Sequence, residues 1–589
     1  MKKISIKSNF IYSLVLVLVV ILFMGFVGDY FFDLNDDVLM KDLLSGAYTG
    51  TPEGHNIQML YPISAVISLF YRVIRGADWY GIFLCICQYL SVFAVAYAGT
   101  KACNKNGQKI TVSLFVLLFS IGVIGSHFLF VQYTFTCGMM SAAAAFLILM
   151  HEKDKDKYFE AALGLIFIAF LLRSEMLLLT LPMVCVAIFI RWALEIKKEV
   201  FMDCLKLFGA MITALVIAFV IHQYAFSSPE WKEYTGFFDA RTELYDYQYI
   251  PDYEENKDFY DKIGLDKSEY MLLVNYNFGL DDKIDADILN EVASYAAKLR
   301  TDEVPLSEHS SQALSEYMYR LHNFSAQKSY QYPMSDYPWN LIVIVLYLGV
   351  LLSYLIPRQD SSSKENLRAT GLLILLFLCR SSLWLYIIMG RRDPIRITHP
   401  LYLIETVILL GMLIKRAQKS TFVSYKIMIL AAVLSLLAIP NQMKVIEEEQ
   451  QARTLMRSHY DALYDYFADN KDNFYFIDVY TSVSCGEDML DGETSFSEKL
   501  FDRIDNSYAN HDLMGGWGAK SPLTQKKLSK AGFADMESAL LTYKAYVVQN
   551  KSESTDWISD YYRYKGIEVT VEPKDTVADA FTVYAVRQK

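Results

Sequence analysis

The stretch that decides the fold class lies near the N-terminus, where residues 11–37 read IYSLVLVLVVILFMGFVGDYFFDLNDD. Residues 11–27 carry no charge and are long enough to cross a bilayer. A signal peptide is the alternative, but the run is long for one and no small-residue cleavage site follows Val27. We therefore predict a retained first span that leads directly into an acidic segment.

The composition indicates a membrane protein with large polar regions. Of 589 residues, 53% are hydrophobic and 21% are charged, and the mean hydropathy is +0.21. These values argue against an intrinsically disordered chain, a collagen-like repeat and a disulfide-rich scaffold. The net charge of −11 argues against a nucleic-acid-binding protein, because such proteins carry basic surfaces.

Ten further apolar runs predict additional spans, near 79–100, 110–126, 128–150, 159–173, 175–193, 205–226, 339–356, 369–389, 399–415 and 425–440. The loops with basic clusters are 101–109, 151–158, 194–204, 357–368 and 416–424. All five lie in the cytoplasm if the N-terminus does, provided that residues 57–75 do not span. We predict a surface or re-entrant helix for 57–75, because Arg72 and Arg75 interrupt it between Pro62 and Gly76.

The predicted fold is a membrane α-helical bundle of about eleven spans with an extracytoplasmic C-terminal α/β domain. Its parts are an N-terminal membrane module (1–226) with a first outer loop (29–78), a large, mainly helical outer loop (227–338), further spans (339–440) and the α/β domain (441–589). The outer regions 29–78, 227–338 and 441–589 carry net charges of −4, −12 and −8. Strands are predicted at Phe474–Tyr480, Tyr543–Val548 and Phe581–Val586.

The acidic segment supplies the first candidate site, Asp36 and Asp37. Adjacent, partly desolvated carboxylates have a raised proton affinity, which suits a general base that activates a sugar hydroxyl. The alternatives are a metal site, with Mg or Mn as the cation that the pair could hold, and a solvated loop that caps a following helix. The pair requires no cofactor.

A second candidate site is an arginine-rich loop, residues 390–400 (GRRDPIRITHP), predicted on the outer side. Arg391, Arg392 and Arg396 run against the positive-inside tendency there. Arginine binds phosphate oxygens in a bidentate fashion, so we predict that the loop holds a lipid phosphate. Arg380, inside the preceding span, is assigned to the same phosphate site. The alternative is salt bridging to the acidic outer loops.

Three weaker groups complete the candidate site residues. The turn Arg173-Ser174-Glu175 faces outward, with a simple Arg–Glu pair as the alternative. Arg241, Tyr245 and Asp246 combine rings and charges that suit a sugar site, with an interfacial aromatic belt as the alternative. His55 and Tyr61 of the first outer loop are candidates for lining the same cavity.

Three sequence segments resemble those of a known family: Asn35-Asp36-Asp37-Val38-Leu39-Met40, residues 45–52 (SGAYTGTP), and Tyr61-Pro62. With the many spans, they resemble the GT-C superfamily of membrane glycosyltransferases in bacteria. The resemblance implies sugar transfer from a polyprenyl-phosphate donor to a glycan or lipid acceptor of the cell envelope, on the outer face of the plasma membrane. It also implies that Asp36 or Asp37 is the base and that Arg391, Arg392 and Arg396 hold the lipid phosphate.

Two other functions remain open from the sequence, a flippase or transporter of lipid-linked glycans and a non-catalytic envelope scaffold. A transporter would place polar residues along several spans and often shows internal duplication. Convergence of Asp36, Asp37 and the arginine-rich loop on one cavity would favour the transferase.

Overall fold

The first part of the chain forms most of a helical membrane bundle. The computed structural model describes residues 3–152, 155–303, 306–326, 334–355, 363–419, 423–485, 496–502 and 508–589. The elements up to residue 225 are α1 (Lys3–Val27), β1 (Phe31–Phe32), α2 (Asn35–Ser45), α3 (Tyr61–Val73), α4 (Trp79–Lys101), α5 (Asn106–Gly122), α6 (Gly125–Leu129), β2 (Phe130–Val131), α7 (Tyr133–Met150), α8 (Tyr158–Leu172), α9 (Ser174–Leu194) and α10 (Lys198–Ala225).

The middle of the chain is helical and polar before it returns to the bundle. Its helices are α11 (Pro229–Thr242), extended by a π-helical turn at Glu243–Tyr247, α12 (Lys257–Ile263), α13 (Lys267–Val274), α14 (Ala286–Glu303) and α15 (Leu306–His322). The bundle then continues with α16 (Trp339–Leu355), α17 (Ser363–Met389), α18 (Ile395–Lys419) and α19 (Val423–Asp469).

Among the described residues, eight helices are long and apolar enough to cross a membrane, and three shorter apolar helices accompany them. Together they occupy the positions of the eleven predicted apolar runs, so the chain is an integral membrane protein. Helix α7 is buried along its whole length, whereas α10 exposes most of its side chains. A Cβ on Gly138 of α7 would lie 2.3 Å from Cβ of Pro400, so glycine permits the close approach of α18.

Described parts of the three acidic regions meet at one end of the bundle, since Asp36, Asp246 and Asp512 line the same space. At that end the Leu60 amide donates to the Leu171 carbonyl, and Tyr234 Oη donates to the Trp517 carbonyl. Helix α3 lies there too and has 13 residues. At about 20 Å it is shorter than the hydrocarbon core of a bilayer is thick.

The C-terminal region contains a five-stranded mixed sheet. Its elements are β3 (Phe474–Ile477), β4 (His511–Leu513), α20 (Pro522–Ala531), α21 (Met536–Leu540), β5 (Ala545–Asn550), α22 (Asp556–Tyr564), β6 (Val569–Val577) and β7 (Phe581–Gln588). The strand order is β4-β3-β5-β7-β6, with β7 antiparallel to β5 and β6. The three predicted strands are confirmed, and β4 and β6 are additional.

Two predicted domain boundaries need correction. The boundary at 440/441 falls inside α19, which runs unbroken for 47 residues from the membrane bundle to Asp469. The large loop and the C-terminal domain are not separate bodies either. Phe237, Leu272 and Leu289 share one hydrophobic core with Phe476, Val547 and Tyr561. Each part alone would leave this apolar surface exposed, so the two fold together.

Candidate functional site

The acidic segment after α1 is fixed to the bundle by a short strand. Strand β1 pairs in parallel with β2, with Phe31 opposite Phe130 and Phe32 opposite Val131. Helix α2 begins two residues after Asp33 and has Asp36 and Asp37 in its first turn. The helix dipole favours carboxylates there. The preceding residue, Leu34, provides no side-chain cap, so the predicted capping role is not observed.

Asp37 is fully buried and points away from solvent. Its Oδ1 accepts a hydrogen bond of 2.8 Å from the Tyr80 hydroxyl, and its Oδ2 has no hydrogen-bond partner in the described part of the chain. Burial raises the pKa of Asp37 well above its usual value, and the nearby charges of Asp36 and Asp33 raise it further. Burial therefore favours the protonated form of this side chain.

Asp36 faces the opposite way, into a cavity of about 420 Å³. Its Oδ1 accepts a hydrogen bond of 2.9 Å from Nε1 of Trp517. We call this space the Asp36 cavity. Three regions of the chain build its wall: α2 with the turn that follows it, the large loop, and the C-terminal domain. The wall is rich in rings and carboxylates, including Asp42, Tyr48, Arg241, Tyr245, Asp246, Tyr276, Tyr464, Tyr480, His511, Asp512, Trp517 and Lys527.

The arginine-rich loop reaches this wall through an ion pair. Arg392 pairs with Asp246, and its guanidinium lies 5.4 Å from the ring centre of Tyr247. Asp246 Oδ1 also lies 3.5 Å from Nη1 of Arg241. The other terminal nitrogen of Arg241, Nη2, donates a hydrogen bond to the Tyr276 hydroxyl. Salt bridging to the acidic loop, the alternative considered for the arginines, therefore holds for Arg392.

The other two arginines of the loop are unpaired within the described residues. Arg391 is exposed, with φ of 54°. Arg396 is half-buried and lies near Asp33. Burial raises the pKa of Asp33, whereas the charges of Arg453 and Arg396 oppose that rise. Because Arg453 already pairs with Asp33 at 3.1 Å, Arg396 remains available to an additional anion.

Arg380 does not join this group. It is buried in the bundle, where its Nε lies 3.1 Å from Oε2 of Glu405. The rings of Tyr317, Trp384 and Tyr402 surround its guanidinium. A buried arginine requires a compensating charge, and the structure supplies it from α18. The assignment of Arg380 to a lipid phosphate is therefore corrected to a buried ion pair within the bundle.

Arg173 lies beside the Asp36 cavity, whereas Glu175 is exposed. Nη1 of Arg173 donates a hydrogen bond of 2.5 Å to Oε1 of Gln58, and its Nε lies 3.3 Å from Glu175. The charges of Asp36 and Asp246 also act on Arg173. The simple Arg–Glu pair is thus present, and the same guanidinium adds positive charge near Asp36.

His55 and Tyr61 do not line the Asp36 cavity. The His55 ring stacks on Trp231 at 4.7 Å, and the Tyr61 ring lies 4.9 Å from it. Burial lowers the pKa of His55. Leu39 and Trp517 separate this aromatic cluster from the cavity, because they border the spaces on both sides. The two residues are therefore packing residues of the first outer loop.

The C-terminal half of the wall was missed from the sequence. Residues 515–518 (GGWG) carry the signal that could have located it. A Cβ on Gly515 would lie 1.8 Å from the Tyr276 carbonyl oxygen, and Gly516 has φ of +82°. Only glycine allows such an approach and such a conformation without strain. The loop therefore delivers Trp517 to Asp36.

The carboxylates of Asp36 and Asp37 do not converge on one point. They accept hydrogen bonds from different partners, Trp517 and Tyr80. Across the described ranges, no group of three or more His, Cys, Asp or Glu side chains is placed to hold a metal ion.

Comparisons with known proteins give only distant similarity. No protein-family model matches the chain, and no curated protein matches it. Two solved structures are similar, those of ArnT from Cupriavidus metallidurans bound to undecaprenyl phosphate and in the apo state. They share 9% and 11% sequence identity with this chain over 97% of each chain, and both give a TM-score of 0.38. A similarity at this level carries no weight for the site.

Proposed function

We propose that this protein transfers a sugar from a polyprenyl-phosphate-linked donor to a glycan or lipid acceptor of the cell envelope, at the outer face of a bacterial plasma membrane. One observation carries the proposal. Asp36 lies on the wall of a cavity of about 420 Å³, and the arginine-rich loop contacts the same wall through Asp246. The volume suits a small-molecule site.

The lining of the Asp36 cavity suits a sugar. The rings of Tyr245, Tyr276 and Trp517 offer apolar faces on which a sugar ring can stack. Asp36, Asp246 and Asp512 offer oxygens that accept hydrogen bonds from hydroxyl groups. A scaffold protein would not need this combination inside a cavity.

Within the carboxylate pair, Asp36 is assigned as the base and Asp37 as a positioning residue. A general base must be deprotonated and within reach of the hydroxyl that it activates. Asp36 lines the cavity, whereas Asp37 is fully buried, and this burial raises the pKa of Asp37. The protonated form that burial favours places no second negative charge beside Asp36.

The arginines are assigned to the donor phosphate. The acceptor hydroxyl loses its proton to Asp36, and its oxygen bonds to the anomeric carbon. The bond from that carbon to the phosphate oxygen breaks, and polyprenyl phosphate leaves with the electron pair. Arg396, in the first turn of α18, neutralises the phosphate together with Arg391 of the preceding loop. Guanidinium charge therefore takes the place of a metal.

The proposed orientation rests on the basic loops of the sequence. Five loops carry clusters of Lys and Arg, and such loops favour the cytoplasmic side. The proposal therefore has the N-terminus inside and the Asp36 cavity and the C-terminal domain outside. Lipid-linked sugar donors on the outer face would then reach the arginine-rich loop from the bilayer.

A transfer assay tests the base assignment. The purified protein in liposomes would receive a radiolabelled polyprenyl-phosphate hexose and, as the acceptor source, membranes from a strain that lacks the gene. Asp36→Asn should lower kcat by about 100-fold or more, whereas Asp37→Asn should keep most of the activity. Asp239→Asn is the matched control, because Asp239 is exposed on α11 and does not line the cavity. Full activity in Asp36→Asn would refute the assignment.

A second comparison tests the phosphate site. Arg396→Gln should raise the KM for the donor about tenfold, since a hydrogen bond to a charged group contributes about 1.5–3 kcal/mol. Arg457→Gln is the control, because Arg457 pairs with Asp461 and Asp502 away from the cavity. An unchanged donor KM in Arg396→Gln would remove this residue from the site.

A further inference from the structure

A second large cavity lies at the end of the bundle opposite Asp36. Its volume is about 580 Å³, and it opens between the ends of α7, α9, α10, α16 and α18. We call it the basic cavity, because five of its lining residues are Lys or Arg and three are Glu. The basic residues are Lys155, Arg191, Lys197, Lys415 and Arg416, and the acidic residues are Glu152, Glu195 and Glu199.

The carboxylates of the basic cavity pair closely with some of its cations and only distantly with others. Glu195 pairs with Arg191 at 3.0 Å and with Lys197 at 2.6 Å. Glu152 pairs with Lys155 at 2.9 Å but lies 3.9 Å from Lys415. Among the described residues, the carboxylate paired with the ammonium group of Lys415 is therefore the distant one of Glu152, and the Lys415 side chain is 20% exposed.

Arg416 is the deepest cation of the cavity and is incompletely bonded. It is 2% exposed, and its closest carboxylate, Glu365, lies 3.7 Å away. Its Nε donates to the Ser353 carbonyl at 2.9 Å, whereas its Nη1 donates no hydrogen bond to any described residue. A buried, charged donor left unsatisfied is costly. An anion with several acceptor oxygens would satisfy Arg416 and Lys415 together.

The location favours a lipid as the source of that anion. Val200 at the start of α10 lines the cavity, and the same helix exposes Phe201, Leu205 and Phe208. These exposed side chains form an apolar surface of the kind that faces acyl chains. A phospholipid beside α10 can therefore place its head group in the cavity while its chains stay in the bilayer.

We propose that the basic cavity binds the phosphate of an anionic phospholipid. Basic pockets between membrane helices on the cytoplasmic side bind such head groups. The interaction would tie the ends of α9, α10 and α18 to the inner leaflet. It does not depend on the transfer reaction, because the cavity lies at the end of the bundle away from Asp36.

A binding experiment on the full-length protein tests the proposal. The detergent-solubilised protein would be titrated with phosphatidylglycerol and, separately, with phosphatidylcholine, and bound lipid counted by native mass spectrometry. Phosphatidylglycerol should bind at one saturable site and phosphatidylcholine should not compete for it. Equal binding of the two lipids would overturn the proposal. Inorganic phosphate that displaces phosphatidylglycerol at equal concentration would assign the cavity to free phosphate and overturn the lipid assignment.

Variants link the bound lipid to this cavity. Lys415→Gln should weaken phosphatidylglycerol binding about fivefold, because a basic residue near anionic lipid contributes about 1 kcal/mol. Lys206→Gln is the matched control, since Lys206 is exposed on α10 and does not line the cavity. Lys197→Glu at the exposed rim should also weaken binding and leaves the buried residues intact. Unchanged affinity in both Lys415→Gln and Lys197→Glu would overturn the site.

Discussion

Nε1 of Trp517 donates a hydrogen bond of 2.9 Å to Oδ1 of Asp36, although 481 positions separate the two residues in the chain. The contact joins the C-terminal domain to the helix that follows the first span. It fixes one carboxylate oxygen of Asp36 and leaves the other for a ligand in the cavity. The C-terminal domain is thus a structural part of the candidate site.

Removal of this hydrogen bond should slow the reaction. Trp517→Phe keeps a ring but loses the donor, so the Asp36 carboxylate loses its orientation. We expect kcat to fall about tenfold, since a hydrogen bond to a charged group contributes about 1.5 kcal/mol. Trp231→Phe is the control, because Trp231 packs against His55 and does not line the cavity. A wild-type kcat for Trp517→Phe would contradict the prediction.

Gly515 should not tolerate a side chain. In Gly515→Ala the new Cβ would lie 1.8 Å from the Tyr276 carbonyl oxygen, so the loop that carries Trp517 must move. We expect a loss of more than about 1 kcal/mol of stability and a lower apparent Tm in detergent. Gly236→Ala is the control, since Gly236 lies in α11 with open space around it, and alanine should raise the Tm there. Equal Tm shifts in the two variants would count against this account of the loop.

The stability of the wild-type protein should depend on pH through Asp37. Below the pKa of an unfolded-state aspartate, near 3.9, both states hold the proton. As the pH rises, the unfolded chain loses its proton while burial keeps Asp37 protonated, because its folded-state pKa is raised. The free energy of unfolding therefore falls until the pH passes the folded-state pKa.

Asp37→Asn removes this titration. The difference between the Tm of the variant and the Tm of the wild type should therefore increase as the pH rises from about 5 to about 8. The asparagine oxygen can still accept the hydrogen bond from Tyr80. Thermal unfolding across this range measures the difference, with the exposed Asp258→Asn as control. A Tm difference that stays constant across this range would show that Asp37 is ionised in the folded protein.

The buried pair of Arg380 and Glu405 should act on stability and not on donor binding. Arg380→Met leaves Glu405 buried, with the Tyr347 hydroxyl as its one remaining side-chain partner among the described residues, which should cost about 3–5 kcal/mol. Combining Arg380→Met with Glu405→Gln should restore part of the loss. Apparent Tm and purified yield measure both effects. A stable Arg380→Met variant with a raised donor KM would instead return Arg380 to the phosphate site.

The orientation of the protein in the membrane can be tested by labelling intact cells with an impermeant thiol reagent. A cysteine at exposed Arg391 should react, whereas one at Lys197 should react only after the membrane is opened. Native cysteines should give little background, since six of the eight are buried and the other two are half-buried. The reverse labelling pattern would invert the topology and place the Asp36 cavity in the cytoplasm.

Local patterns predicted much of the fold. Apolar runs of about 20 residues located the membrane helices because the bilayer sets that length. The two arginines and the flanking Pro and Gly predicted a short helix in residues 57–75, and the structure has one at Tyr61–Val73. Alternation of side chains located β3, β5 and β7, but β4 has three residues and is too short for a pattern to appear. Arg241 and Asp246, which the sequence grouped together, line the same cavity.

The sequence by itself determined that this is a membrane protein with three acidic regions outside the helical bundle, because hydropathy and charge act over neighbouring residues. Only the tertiary structure decided that two of those regions share one core, that Asp36 meets the cavity while Asp37 is buried, and that Arg380 pairs with Glu405. These outcomes depend on which side chains meet across hundreds of residues. Burial and ion pairing depend on those long-range contacts, and no local sequence pattern encodes them.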